Sequence, residues 1–118
     1  MRQSFLSSVA NASKGLYYAI RTQRNLKIQF VIAILAIITG LWLKITRLEW
    51  AAIWLCIGLV IGLEIMNSAI ETLLNKLHPG HDPEIGKAKD LAAAAVWIAS
   101  IASLFTGLYI FLPRLMYR

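Results

Sequence analysis

The sequence contains few acidic residues and almost no cysteine. Six acidic side chains stand against twelve basic ones among its 118 residues, and the net charge is +6. The single cysteine, Cys56, cannot form an intrachain disulfide and is expected to pack within the apolar segment around it. No GxxxxGKS or GxxxxGKT segment occurs, which excludes a P-loop nucleotide site. Residues 1–29 also lack the compact apolar run and small-residue cleavage site of a secretory signal.

Apolar side chains dominate instead. Hydrophobic residues make up 58% of the chain, and the mean hydropathy is +0.64. A soluble domain of this size has too little interior to bury so much apolar surface, so the composition predicts a membrane protein. The basic excess then indicates contact with anionic lipid headgroups rather than with nucleic acid, and no nucleic-acid partner is expected.

The order of the apolar segments predicts an all-α membrane protein that forms a single domain over residues 1–118. Residues 4–21 have apolar side chains every three or four positions, which predicts an amphipathic helix. This helix would lie in the bilayer interface with its basic side toward the headgroups, or pack on the other helices. Three segments long enough to span a bilayer follow, at residues 26–43, 50–74 and 83–112.

Polar residues mark the ends of two of these segments. Asp82 and Pro83 are typical of an N-cap and a first helical position, so the third span is expected to begin there. Lys27 and Gln29 lie near the start of the first span and are expected at the interface, or to extend toward it.

The distribution of basic residues predicts a cytoplasmic N-terminus. In this orientation they divide eight to four in favour of the cytoplasmic side, as the positive-inside rule requires. The cytoplasmic set is Arg2, Lys14, Arg21, Arg24, Lys27, Lys76, Lys87 and Lys89, and the outer set is Lys44, Arg47, Arg114 and Arg118. The polar ends of the second and third spans would then share the cytoplasmic interface with the N-terminal helix.

Three polar residues interrupt the second span. Glu64, Asn67 and Glu71 follow one another at intervals of three and four, which places them on one helical face. Ionisable groups within a span are costly and usually mark a functional site. The alternative is a structural role, in which these side chains only hydrogen-bond to a neighbouring helix.

The same region fits the requirements of phosphoryl transfer. Glu71 and Asp90 carry the oxygen ligands that Mg²⁺ prefers, and Lys89 would contact phosphate. Glu64 lies about 10 Å deeper in the bilayer than Glu71, at ~1.5 Å of rise per residue, and this depth suits the hydroxyl of a lipid. Asn67, one turn away, would orient that hydroxyl or the carboxylate of Glu64.

Two other interpretations remain open. His78 and His81 lie three positions apart in HPGH, where a solvated turn is favoured over a zinc site because no further ligands accompany them. A non-catalytic membrane scaffold or small transporter would use the polar face to pack helices or to pass an ion. A transporter would move its substrate without consuming ATP, which distinguishes it from a kinase.

The polar motifs resemble those of the prokaryotic diacylglycerol kinase and undecaprenol kinase family. The resemblance rests on ExxNSAIE at residues 64–71, followed by Ala88-Lys89-Asp90 and a run of alanines. Lys14-Gly15-Leu16 and the RNLKI segment at 24–28 match as well, so the resemblance covers nearly the whole chain. It implies a multi-pass inner-membrane kinase with an N-terminal surface helix, three spans and a cytoplasmic N-terminus. It also implies a homotrimer with active sites at subunit interfaces, Mg²⁺-ATP as donor and a lipid alcohol as acceptor.

The resemblance assigns roles to individual residues. Glu64 falls on the family's catalytic base, and Asn67 falls beside it in the lipid and catalytic site. Glu71 falls on a metal and nucleotide ligand. The remaining nucleotide-binding positions are Lys89, Asp90 and the loop residues Gly80, His81 and Asp82.

The chain departs from the family pattern at three positions. Gln23 stands where a glutamate usually supplies a second ligand to metal and nucleotide, and its amide oxygen would ligate Mg²⁺ without neutralising charge. Asn75 replaces an aspartate, and Gln29 stands where the family often has His or Glu. An inactive homologue is therefore an alternative, although the retained polar residues argue against it. The RNL segment at 24–26 resembles members that act on undecaprenol, and diacylglycerol remains the general expectation for the family.

Overall fold

The computed structural model describes residues 4–117, which form helices joined by short connections and contain no strand. The helices are α1 (Phe5–Thr22), α2 (Arg24–Leu43), α3 (Arg47–Leu77) and α4 (Pro83–Met116). The all-α prediction is therefore confirmed. Arg2 and Arg118, which contributed to the predicted orientation, lie outside the described residues.

The helices begin where side chains cap free backbone amides. Thr46 and Glu49 form a reciprocal capping box at the start of α3. Asp82 caps α4 by accepting from the backbone N–H of Glu84, and Pro83 occupies the first turn. The cap predicted from Asp82 and Pro83 is thus present.

Helices α2, α3 and α4 are each long and apolar enough to cross a membrane. At ~1.5 Å per residue, the 31 residues of α3 and the 34 residues of α4 correspond to about 46 and 51 Å. A bilayer has a hydrocarbon core about 30 Å thick, so both helices extend beyond it. The segments 64–77 and 83–90 form the polar ends of α3 and α4, and these ends carry most of the predicted site.

The opposite end of the bundle is closed by tight packing. A small core joins Leu43, Ile45, Ile53 and Ile110. Trp50 lies against Gly40, where an added Cβ would come within 2.8 Å of the indole ring.

The connection between α2 and α3 lies at the same end of the bundle. Lys44 ends α2 in a left-handed conformation, with φ of 54°. Arg114 of α4 forms an ion pair with Glu49 of α3. This end holds the three spans in a defined arrangement and so positions the polar end.

Outside this core the spans present apolar side chains outward. Trp97, for example, has 72% of its surface exposed, and Leu55 and Ile98 are similarly accessible. Large exposed apolar surfaces of this kind mark contacts with lipid or with another protein chain. The arrangement agrees with the membrane character predicted from composition.

Candidate functional site

Glu64 is a buried carboxylate at the deep end of the polar face of α3. Only 5% of its surface is exposed, and no other charged side chain among residues 4–117 is as deeply buried. Gln29 Nε2 of α2 donates to Glu64 Oε1 at 2.9 Å. Asn67 Nδ2 donates to Glu64 Oε2 at 3.4 Å, a longer and weaker bond. Each carboxylate oxygen therefore has an amide donor, which offsets part of the cost of its burial.

The hydrogen bond between Glu64 and Asn67 joins residues one helical turn apart, and this spacing is visible in the sequence. The hydrogen bond between Glu64 and Gln29 joins two different helices. Gln29 lies 35 positions earlier and reaches Glu64 because α2 packs beside α3. From the sequence, Gln29 is expected at the interface or extending toward it, and no local pattern indicates a partner for its side chain. The available signal was a polar side chain following Lys27 at the start of an otherwise apolar helix.

An apolar cleft of about 480 Å³ lies between α2, α3 and α4. Gln29 is the lining residue nearest the start of α2, and Ile61 lies one turn from Glu64 on α3. These two residues place one end of the cleft beside the buried carboxylate. Small side chains on the facing helices leave the space open, and they include Ala33, Ala36, Ser100, Ser103 and Gly107. An apolar cleft with a few polar groups has the general character of a small-molecule site.

The outer part of the predicted site lies toward the ends of α3 and α4. Lys89 Nζ donates to Asn75 Oδ1, which joins the two helices near their connecting loop. Lys89 is half-buried, whereas the carboxylates of Glu71 and Asp90 are exposed. Glu71 follows Glu64 by seven residues, or about 10 Å of helix. The site thus has a buried part around Glu64 and an exposed part that carries charges of both signs.

The loop between α3 and α4 is held by two hydrogen bonds to Asp82. His78 Nε2 donates to Asp82 Oδ2 at 3.0 Å, and the Glu84 backbone N–H donates to Asp82 Oδ1 at 2.8 Å. The Glu84 N–H, and then His78, hold the pKa of Asp82 below its usual value because they stabilise the ionised carboxylate. Gly80 and His81 are exposed on the same loop. The loop therefore presents accessible groups next to the start of α4.

Gln23 lies at the junction of α1 and α2. Its backbone N–H donates to Ala19 O at 2.8 Å, while its half-buried side chain makes no capping bond to α2. Within residues 4–117, no three His, Cys, Asp or Glu side chains are grouped so that they could hold a metal ion. The predicted ligands Glu71 and Gln23 provide a carboxylate and an amide oxygen, the hard donors that suit Mg²⁺. An octahedral ion would take its other ligands from water or from phosphate oxygens.

Comparison with known proteins shows which family the sequence matches. Residues 10–111 match the family described as prokaryotic diacylglycerol kinase. An undecaprenol kinase of Bacillus subtilis is 36% identical over 111 residues, which cover 94% of this chain and 90% of that protein. A diacylglycerol kinase of Escherichia coli K12 is 31% identical over 93 residues, covering 79% of this chain and 76% of that protein. A diacylglycerol kinase of Synechocystis is 33% identical over 114 residues, or 96% of this chain and 65% of that protein.

The family match covers most of α1, almost all of the three spans and every residue of the candidate site. Together with the buried glutamate and the three apolar helices, it decides the family question that the motifs raised. The chain belongs to the prokaryotic diacylglycerol kinase family.

Proposed function

We propose that this protein is a membrane lipid kinase that transfers the γ-phosphoryl group of ATP to the hydroxyl of a lipid alcohol. The observation that carries the proposal is the burial of Glu64 between two amide donors at the end of an apolar cleft. A carboxylate at this depth is accessible to a hydroxyl that arrives from within the bilayer. Membership of the family supports phosphoryl transfer as the reaction.

Glu64 acts as the general base in this proposal. The lipid oxygen forms a bond to the γ-phosphorus, the bond from that phosphorus to the bridging oxygen breaks, and ADP leaves. The hydroxyl proton passes to Glu64, whose hydrogen bond from Asn67 keeps the carboxylate oriented. A base held in place by surrounding donors needs little reorganisation when the proton is transferred.

The nucleotide occupies the exposed part of the site. Lys89 and Asp90 at the start of α4, with the loop residues Gly80, His81 and Asp82, form its binding surface. Glu71 and Gln23 would hold Mg²⁺, which would neutralise phosphate charge. The support for this assignment is the exposure of the Glu71 carboxylate and the absence of a capping bond to the Gln23 side chain.

The active protein is a homotrimer in the inner membrane with a cytoplasmic N-terminus. The large exposed apolar surface of the spans supports contacts with other copies as well as with lipid. Of the basic residues that predict the orientation, those at 14–27, 76, 87 and 89 lie on α1, at the start of α2 or at the polar ends of α3 and α4. This distribution supports a nucleotide site on the side of the membrane where ATP is found.

The acceptor is undecaprenol or diacylglycerol, and the relatives support both. The Bacillus subtilis relative, which matches over 90% of its own length, is named undecaprenol kinase. The relatives from Synechocystis and Escherichia coli are named diacylglycerol kinase. Each lipid presents a single hydroxyl on a long apolar body, and these two features match the buried carboxylate and the apolar lining of the cleft in chemistry.

The decisive experiment is transfer of labelled γ-phosphate from ATP in nanodiscs that contain Mg²⁺ and either undecaprenol or dioleoylglycerol. Label in one lipid is the expected result and also identifies the acceptor. Glu64→Gln is expected to lower turnover by about 100-fold or more, the contribution of a general base. Glu84→Gln removes an exposed glutamate at the start of α4 and serves as the matched control with unchanged turnover.

Absence of label in both lipids, from wild-type protein that is folded and oligomeric, would contradict the kinase proposal. Normal turnover of Glu64→Gln would contradict the assignment of the base. If neither lipid stimulates ATP hydrolysis, a transporter or an inactive homologue would be favoured instead.

A further inference from the structure

One side-chain hydrogen bond closes the loop between α3 and α4. His78 is the C-cap of α3, and Asp82 is the N-cap of α4. Nε2 of His78 donates to Oδ2 of Asp82 at 3.0 Å. The bond therefore joins the ends of the two longest helices across three intervening residues, Pro79, Gly80 and His81.

Both partners in this bond are also held by the helix that each of them caps. The backbone N–H of His78 donates to Leu74 O at 2.9 Å, at the end of α3. Oδ1 of Asp82 accepts from the Glu84 N–H at 2.8 Å, and the backbone oxygen of Asp82 accepts from the Gly86 N–H at 2.9 Å. The carboxylate thus has two tasks, since Oδ1 caps α4 while Oδ2 holds the histidine.

The backbone between the two caps has no hydrogen bond of its own. Neither Gly80 nor His81 makes a hydrogen bond to another of residues 4–117. Pro79 restricts one φ angle, whereas Gly80 has a wider choice of backbone conformations than any other residue type. The conformation of this exposed loop therefore depends on the side-chain bond that spans it.

We propose that His78 is a positioning residue for the nucleotide, because its hydrogen bond to Asp82 holds the loop 79–81 in the conformation that binds ATP. The inference rests on the proposed function, which assigns Gly80, His81 and Asp82 to the nucleotide surface. His78 itself makes no contact with the nucleotide. A surface that is ordered before binding loses less conformational freedom when the ligand arrives, so the bond raises affinity without adding a contact.

The exposure of the pair sets the size of the expected effect. The side chains of His78 and Asp82 are 46% and 35% exposed. The contribution of a pair exposed to this extent changes an equilibrium constant by no more than about fivefold. A change of this size is too small to decide whether the bundle folds, but it is readily measured as a change in nucleotide affinity.

Two amide variants separate the hydrogen bond from the polarity of the side chain. His78→Gln places an amide N–H close to the position of Nε2 and is expected to retain the bond, whereas His78→Asn carries the same group on a shorter side chain that does not reach Asp82. Displacement of trinitrophenyl-ATP by ATP, with Mg²⁺ in nanodiscs, measures the affinity. His78→Asn is expected to bind ATP about three- to fivefold more weakly, and His78→Gln to remain within about twofold of the wild-type protein.

A double-variant cycle tests whether His78 acts through Asp82. Asp82→Ser retains a capping oxygen for α4 but has no second oxygen to accept from His78. It is expected to weaken ATP binding by the same factor as His78→Asn, and the double variant is expected to be no weaker than either single variant. Additive losses would show that the two residues act independently and would overturn the proposal.

Kinetics and backbone dynamics provide two further measurements. Where phosphate transfer is observed, His78→Asn is expected to raise the KM for ATP about three- to fivefold, with kcat and the lipid KM unchanged. Without nucleotide, the NMR order parameters of the Gly80 and His81 amides are expected near the rigid value of about 0.85 in the wild-type protein and in His78→Gln. In His78→Asn they are expected to fall toward about 0.6.

The order parameters distinguish failure of this proposal from failure of the proposed function. Unchanged order parameters in His78→Asn, or unchanged ATP affinity despite lower order parameters, would overturn the positioning role. Loss of affinity in His78→Gln equal to that in His78→Asn would overturn it as well. A wild-type protein that binds no ATP although its loop is ordered would contradict the proposed function, and the nucleotide role of His78 with it.

Discussion

Lys89 of α4 donates a hydrogen bond to Asn75 of α3, and this bond joins the two longest helices beside their connecting loop. A neutral amide accepts the bond without compensating the ammonium charge. Lys89 is therefore positioned by a partner that is itself uncharged. An aspartate at position 75 would form an ion pair and reduce the charge available to a phosphate group.

Replacement of Lys89 by Met is expected to raise the KM for ATP about tenfold or more, because a charged hydrogen bond to phosphate is lost. The matched control is Lys87→Met, since Lys87 is exposed and pairs with Glu84 instead. Steady-state kinetics at saturating lipid measure both. Equal changes in the two variants would show that only the general positive potential of this region matters.

Gln23→Glu is expected to lower the Mg²⁺ concentration required for half-maximal activity by about tenfold. The physical reason is that a carboxylate adds ligand charge where the amide adds none. Asn25→Asp introduces the same charge at an exposed position two residues away and is expected to leave the Mg²⁺ dependence within about twofold. The rate of phosphate transfer is measured as a function of Mg²⁺ concentration for both variants and the wild-type protein. An unchanged midpoint in Gln23→Glu would contradict the assignment of position 23 to the metal site.

The cap that Asp82 forms on α4 is expected to weaken in acid. Because its pKa is lower in the folded protein than in the unfolded chain, the cap contributes its full stability above the ordinary carboxyl pKa of about 3.9. That contribution is lost as the pH falls through the lower pKa of the folded state. Amide hydrogen exchange of Glu84, corrected for its intrinsic pH dependence, is expected to accelerate as the pH falls below about 3.9.

Asp82→Asn provides the control for this acid sensitivity. Asparagine also caps helices, but it does not titrate, so the corrected exchange rate of Glu84 is expected to be independent of pH. Acid acceleration of equal size in the variant would assign the effect to a group other than Asp82.

Gly40→Ala is expected to destabilise the bundle by about 1–3 kcal/mol, the usual cost of overpacking. Its Cβ would lie within 2.8 Å of Trp50 and 3.1 Å of Ile45. Gly58→Ala is the control, since nothing lies within 4 Å of the added carbon, and alanine is expected to gain up to about 1 kcal/mol in a helix. Unfolding in mixed detergent compares the two, and equal stability would contradict the close approach of α2 and α3.

Local features of this fold could be predicted from the order of residues. Apolar runs longer than a bilayer is thick predicted the three spans, and Asp82 with Pro83 predicted the start of α4. Two of the helices are longer than the predicted spans. Helix α3 begins at Arg47 rather than at residue 50, and α4 continues to Met116 rather than to residue 112. Charged residues at these ends join the helices when they find capping or ion-pair partners, as Glu49 and Arg114 do.

The membrane class, the all-α fold and the common face of Glu64, Asn67 and Glu71 could be predicted from the order of residues, because hydropathy and helical periodicity are local properties. The contact of Gln29 with Glu64, the contact of Lys89 with Asn75 and the cleft between the spans became visible only in the folded protein. These contacts depend on how α2, α3 and α4 pack, and packing is set by side-chain shape over the whole interface. A one-dimensional pattern specifies which face of a helix is polar, but not which residue of another helix meets it.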